Sequence, residues 1–314
     1  MIADLNDTFG IDGIAHVVAS NGGLPAVVVT SPAARGVLVL HGGQVTSWVP
    51  AGADRDALFV SRQAVWQRDR AIRGGIPVCF PWFGAHPTNP GAPAHGFARL
   101  REWRLASIER HGDAVVVTVD QSSDAASREL WPYDFNLRLR VAFGTALQVD
   151  LTVTNCSSGP FSFEEALHTY FAVADIRSTS LSGLDGARYL DTVGGLREAR
   201  QQGDVRFEAE TDRIYFATGE AIIHDAARPR RITVNKQNSA NTVVWNPWVS
   251  RARALADFGD DEWTGMLCVE TCNVRDAAIV LDAGQSHTMT VAVDVASLSS
   301  APPSAARSGR PPTW

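Results

Sequence analysis

Only four cysteines occur in 314 residues, at positions 79, 156, 268 and 272. None falls in a paired metal or redox spacing, which argues against a disulfide framework and for a reducing compartment. Cys268 and Cys272 would lie roughly 13 Å apart on a strand, too far to share an ion or a bridge. No run of 18 apolar residues exists, so no membrane span is expected. The opening MIADLNDTFG is acidic and has no apolar core segment, so no signal peptide is expected and the expected location is cytoplasmic. Surplus positive charge is also missing. The formal net charge is −6, which weighs against nucleic acid or an anionic membrane as partner. An anionic small substrate would need local positive charge working against that sign. A dinucleotide fingerprint, a phosphate-cradling glycine loop and a metal-ligand spacing are all absent, so no cofactor and no metal is expected.

What is present is period-2 patterning. LQVDLTVTN (147–155) alternates Leu147, Val149, Leu151 and Val153 with polar partners, and NLRLRVAFG (136–144) does the same. AVVVTVD (114–120), RRITVNK (230–236) and HTMTVAVDV (287–295) follow. Such alternation marks half-buried strands of antiparallel sheets. Helical signals are few and short: SRQAVWQ (61–67), SSDAASREL (122–130) and PWVSRARALADF (247–258). There is no βαβ rhythm, no internal repeat and no composition shift. The expectation is all-β: one large antiparallel β-sandwich over residues 1–295 with a few short helices. Residues 296–314, rich in Ser, Ala and Pro, read as a disordered tail.

Three constellations could carry chemistry. IRGGIPVCFPWFG (72–84) and AHGFARLREW (94–103) join Arg73, His95 and Arg99 to several glycines and prolines. Glycine permits close backbone approach, and a forked guanidinium suits a phosphate or carboxylate. The plain alternative is a pair of solvated surface arginines. FSFEEALHTYF (161–171) read as one strand puts Phe161, Phe163, Leu167 and Phe171 on one face and Glu164, Ala166, His168 and Tyr170 on the other. A histidine so placed is more often structural than catalytic. GMLCVETCNV (265–274) buries Glu270 between Cys268 and Cys272 on an apolar face. A carboxylate there costs several kcal/mol unless paired, hydrogen-bonded or protonated. A structural ion pair and a functional acid–base group are the two readings.

These runs, with HGGQVTSW (41–48), EALHTYF (165–171), ETDRIYF (210–216) and VVWNPW (243–248), follow in order from about residue 15 to 295. Together they resemble the glucose-6-phosphate 1-epimerases, the hexose-6-phosphate mutarotase branch of the aldose 1-epimerase superfamily. The resemblance implies a galactose-mutarotase-like supersandwich. It implies interconversion of the α and β anomers of a hexose 6-phosphate, without cofactor, by a chain expected to be a monomer. It puts Glu270 at the general base, His168 at the general acid and His95 at a second active-site histidine. It puts Arg73 and Arg99 on the phosphate and Asp212 on a sugar hydroxyl. At Trp82 the family varies between tryptophan and glutamine, so that position has no assigned role. Two alternatives stay in play. An aldose 1-epimerase for unphosphorylated sugars would not need the Arg73/Arg99 pair. A non-catalytic carbohydrate-binding sandwich would not need a base–acid pair. Burial should raise the Glu270 pKa towards neutrality, and histidine, with a reference value near 6.5, suits the acid.

Overall fold

The computed structural model describes residues 2–297. Its centre is a nine-stranded sheet, and every pairing in it is antiparallel. The alternating segments form that sheet. Leu147–Asn155 lies between Phe135–Phe143 and Ser286–Ser297. Register brings Leu139, Leu151 and Met289 into one row, and Val141, Val149 and Val291 into the next. All six are buried. The polar partners face outward and pair across strands, as Asp120 does with both Arg104 and Arg138.

An eight-stranded sheet lies against this one. Its strands run in the order Arg197–Arg200, Arg188–Asp191, Thr211–Phe216, Asn241–Asn246, Met266–Asn273, Glu165–Leu167 and Val78–Cys79, with Tyr170–Ala172 also pairing Met266–Asn273. One apolar cluster joins residues of both sheets, from Ala15 to Val293. A four-stranded sheet spans Ala15–Ala19, Pro25–Thr30, Ala34–Val39 and Gln44–Pro50.

Several local expectations differ from the structure. SRQAVWQ is not helical. The Ser61 hydroxyl (2.6 Å), the Arg62 amide N–H (2.9 Å) and the Arg62 Nε–H (3.0 Å) all donate to the Glu262 carboxylate. Tertiary partners override a modest local helix propensity there. Helices do form at Ala125–Leu130, capped by Asp124, and at Trp248–Arg253. An unforeseen helix spans Ile2–Phe9; Ile2, Leu5 and Phe9 pack on the core, and Asn6 bonds the backbone of Val17 at both N–H and C=O. FSFEEALHTYF breaks into Phe161–Phe163, Glu165–Leu167 and Tyr170–Ala172. Ala296 and Ser297 end a paired strand rather than begin a tail, opposite Arg231 and Arg230. The rest of that segment, from 298, lies outside the described residues.

One pair, a half-buried histidine and a buried glutamate, ties the two large sheets together. His287 Nε2 lies 3.1 Å from Glu165 Oε1, which also accepts from Asn273 Nδ2 at 2.8 Å. The bond to Glu165 raises the His287 pKa above its ordinary 6.5, against partial burial. Burial pushes Glu165 up as well. A group whose pKa rises on folding stabilises the fold below its unfolded value, and that stability is lost as pH climbs through the folded value. We therefore expect thermal stability to decline as pH rises above 6.5, and His287→Gln to flatten that slope. Melting curves from pH 5 to 9 on both proteins test this; parallel slopes would detach His287 from the effect.

Candidate active site

Period 2 builds the floor of the site. Register places Asp212 beside Trp245, Trp245 beside Cys268, and Cys268 beside Tyr170. In the next row Ile214, Val243 and Glu270 are neighbours. Cys79, Ala166, Ile214, Val243 and Cys272 form a small apolar cluster in the same sheet. Glu270 is 1% exposed on this floor and His168 6%. Their side chains meet, with His168 Nε2 3.4 Å from Glu270 Oε1. Over them opens a cavity of about 480 Å³, within the range of small-molecule sites. It is lined by Glu270, His168, His95, Arg73, Arg99 and Asp212, so all six residues expected from the sequence share one space.

His95 reaches the cavity from a loop that only special backbone geometry allows. It sits at φ +61°, and Gly96 follows at +72°. A Cβ on Gly96 would lie 1.9 Å from the Phe80 carbonyl oxygen, so no other residue fits. The His95 N–H donates to the Gly84 carbonyl at 2.7 Å, and the Gly84 N–H donates to His95 Nδ1 at 3.3 Å. An accepting Nδ1 leaves the neutral ring's proton on Nε2. The two histidine rings are 5.5 Å apart, near perpendicular. Glu164 braces the rim: its carboxylate accepts from the backbone N–H of Phe83 and of Arg275.

Arg73 is engaged from within. Its Nε–H and Nη2–H donate to the two Asp257 oxygens (3.2 and 3.1 Å), and its Nη1–H donates to the Tyr170 hydroxyl (3.1 Å). Tyr170 in turn stacks on His168, with centroids 4.9 Å apart and planes 12° apart. Arg73 thus holds the ring beneath the histidine, and its charge is largely matched by Asp257. Two of its five N–H donors remain. Arg99 differs. Its Nη2–H donates to the Ala94 carbonyl at 2.9 Å, while its Nε is buried without a partner among the described residues. A buried orphan donor is costly unless something fills it. Sequence reasoning missed two more arginines on the wall, Arg251 and Arg275. Among the described residues their guanidinium groups meet no ion-pair or hydrogen-bond partner. Arg275 directly follows the strand of Glu270, which was the available signal. Trp82 does not line the cavity; it is buried and donates to the Pro93 carbonyl at 2.9 Å.

Burial dominates the electrostatics. It raises the Glu270 pKa well above 4.5, helped by Asp212 and opposed by Arg99. It lowers His95 to about 3, with Arg99 and Arg73 adding to the effect. It also lowers His168 well below 6.5, with the charges of His95, Arg99 and Arg73 in support. The reference value near 6.5 does not describe His168, because its enclosure disfavours the charged ring. Asp212, on the wall, is raised by burial.

The sequence profile of the aldose 1-epimerase family matches residues 25–294. This chain belongs to the aldose 1-epimerase family. Relatives agree with that membership. A protein of Cenchrus ciliaris named as a candidate glucose-6-phosphate 1-epimerase is 38% identical over 275 residues, covering 83% of this chain and 82% of its own. A similarly named protein of Escherichia coli K12 is 36% identical over 266 residues, covering 84% and 88%. The crystal structure of a candidate mutarotase from Salmonella typhimurium superposes with a TM-score of 0.86 at 31% identity, covering 92% of this chain and 96% of that one. As an aldose 1-epimerase the chain is an isomerase, and the expected mutarotase-like β-sandwich is the fold it has. An aldose 1-epimerase must move protons at two oxygens bonded to one carbon. A carboxyl and an imidazole in contact on a dry floor are built to that scale.

Proposed function

We propose that this aldose 1-epimerase interconverts the α and β anomers of a hexose 6-phosphate, glucose 6-phosphate first, as a monomer in the cytoplasm. The observation that carries the reading is the buried Glu270–His168 contact in a cavity whose wall holds arginines, Arg251 and Arg275, with no guanidinium partner among the described residues. No helix among the described residues is long and apolar enough to cross a membrane.

Glu270 as carboxylate takes the proton from the anomeric hydroxyl. His168 as imidazolium gives a proton to the ring oxygen as the C1–O5 bond breaks. The aldehyde turns about C1–C2 and closes on its other face, and both protons return. A carboxylate beside an imidazolium and a carboxylic acid beside a neutral imidazole hold the same number of protons. They differ by one proton's position across 3.4 Å. A phosphate dianion near Arg99 offsets one of the positive charges that lower His168, and so favours the form that starts the reaction. His95, neutral with its proton on Nε2, donates a hydrogen bond to the ring oxygen. Asp212 accepts from a sugar hydroxyl.

A panel of glucose, galactose and mannose 6-phosphates and the free sugars, followed by polarimetry or exchange NMR above the spontaneous rate, tests this. Acceleration should be greatest on a phosphorylated sugar. Equal or greater turnover of the free sugars would give the site to unphosphorylated aldoses, and no acceleration at all would leave a binding module.

A further inference from the structure

The floor carries a third side chain that the proton chemistry leaves unused. Cys268 lies two residues before Glu270 on the same strand and opposite Tyr170 in the register. Donor atoms of His168, Cys268 and Glu270 all lie within 4.8 Å of one another, and all three residues are buried. Glu270 Oε2 is buried and has no partner among the described residues. We propose that His168, Cys268 and Glu270 form an inhibitory site for a thiophilic divalent cation, for which Zn²⁺ is the probe.

One imidazole, one thiolate and one carboxylate are a donor set that zinc takes in sites with an open fourth position. Bonds of about 2.0–2.3 Å place such donors about 3.5 Å apart around the ion; His168 and Glu270 already stand 3.4 Å apart, so it is Cys268 that closes on them. His168 and Glu270 line the cavity, which is the entry path, and Cys268 lies fully buried beside them. A dication with one thiolate and one carboxylate is neutral overall, so the buried site gains no net charge. The ion displaces two protons on binding, the thiol's and the one that the Glu270–His168 pair shares. Magnesium and calcium prefer oxygen donors and are excluded by the sulfur. The other imidazole nitrogen, Nδ1, has no partner among the described residues. Resident metal sites brace that nitrogen, and lacking the brace costs about 10–100-fold in affinity. The ion is accordingly exchangeable. It inhibits because it captures the two groups that the proposed reaction needs, so the inhibition, unlike the binding, rests on that reading.

Titrating Zn²⁺ by calorimetry, and Co²⁺ by its near-ultraviolet thiolate-to-metal charge-transfer absorption, tests the site without any turnover. The wild-type chain should bind one ion and show the thiolate band. Cys268→Ser should lose both, and Cys156→Ser, which removes the exposed thiol, should keep both. Anomerisation by the wild-type chain should stop on adding Zn²⁺, be restored by EDTA and be unaffected by Mg²⁺. The remaining activity of Cys268→Ser should be insensitive to zinc. A thiolate band that survives in Cys268→Ser, or absence of binding by the wild-type chain, overturns the proposal. Binding that depends on Cys268 in a chain inactive on every sugar would support the metal site and sink the catalytic reading instead.

Discussion

Glu270→Gln should lower kcat for anomer interconversion by about 100- to 10,000-fold, the usual contribution of one general acid–base group. The change keeps the shape of the side chain and removes only its ability to hold and release a proton. KM should move little, because the amide still fills the same place on the floor. Stability gives a second readout. The carboxyl is buried, and one of its oxygens has no partner among the described residues, an arrangement that burdens the fold. The melting temperature of Glu270→Gln should therefore hold or rise while activity collapses, as expected where a fold tolerates a poorly solvated group for the sake of chemistry. Stopped-flow polarimetry with the spontaneous rate subtracted, beside a thermal melt, measures both. A variant that keeps its rate would remove Glu270 from the reaction. The pH profile adds a sign. Glu270 is raised and His168 lowered, so the pair keeps its single working proton over a broad central range. Activity should fade when the pair gains a second proton in acid and when it loses the first in alkali, and those apparent values belong to the pair.

Arg99→Ala should raise KM for glucose 6-phosphate by about 10- to 100-fold and leave free glucose nearly unchanged. The magnitude follows from one hydrogen bond to a charged group, about 1.5–3 kcal/mol, at about 1.4 kcal/mol per factor of ten. Arg99 is singled out because its Nε is buried with no partner among the described residues. Arg73 is the instructive contrast. Its guanidinium is bound to Asp257 and Tyr170, and Tyr170 stacks beneath His168. Arg73→Ala should consequently slow both sugars alike, through kcat. Steady-state kinetics on both sugars with both variants resolves the two roles. Equal losses on the two sugars with Arg99→Ala would argue against a phosphate contact.

The reach and limit of the sequence follow from the same residues. Period 2 was enough to place Leu147, Val149, Leu151 and Val153 in the core, and to put Glu270 on a face with Cys268 and Cys272. The ordered runs around Arg73, His95, His168 and Glu270 were enough to bring them into one cavity. What escaped were partnerships between distant segments. Asp257 is 184 residues from Arg73, and nothing local in IRGG announces that ion pair. Glu262 is about as far from Ser61, and its carboxylate holds a segment whose own pattern reads as helix. The state of His168 was hidden for a related reason. A reference pKa describes a ring in water, whereas this one is enclosed and faces arginines from separate stretches of chain.

The tie from Asp257 through Arg73 and Tyr170 means that the aim of the histidine is fixed from outside the sheets. Asp257 belongs to the connection after the helix Trp248–Arg253, outside every strand. Changes there would loosen the histidine's aim and slow every sugar together while the strand frame stays intact.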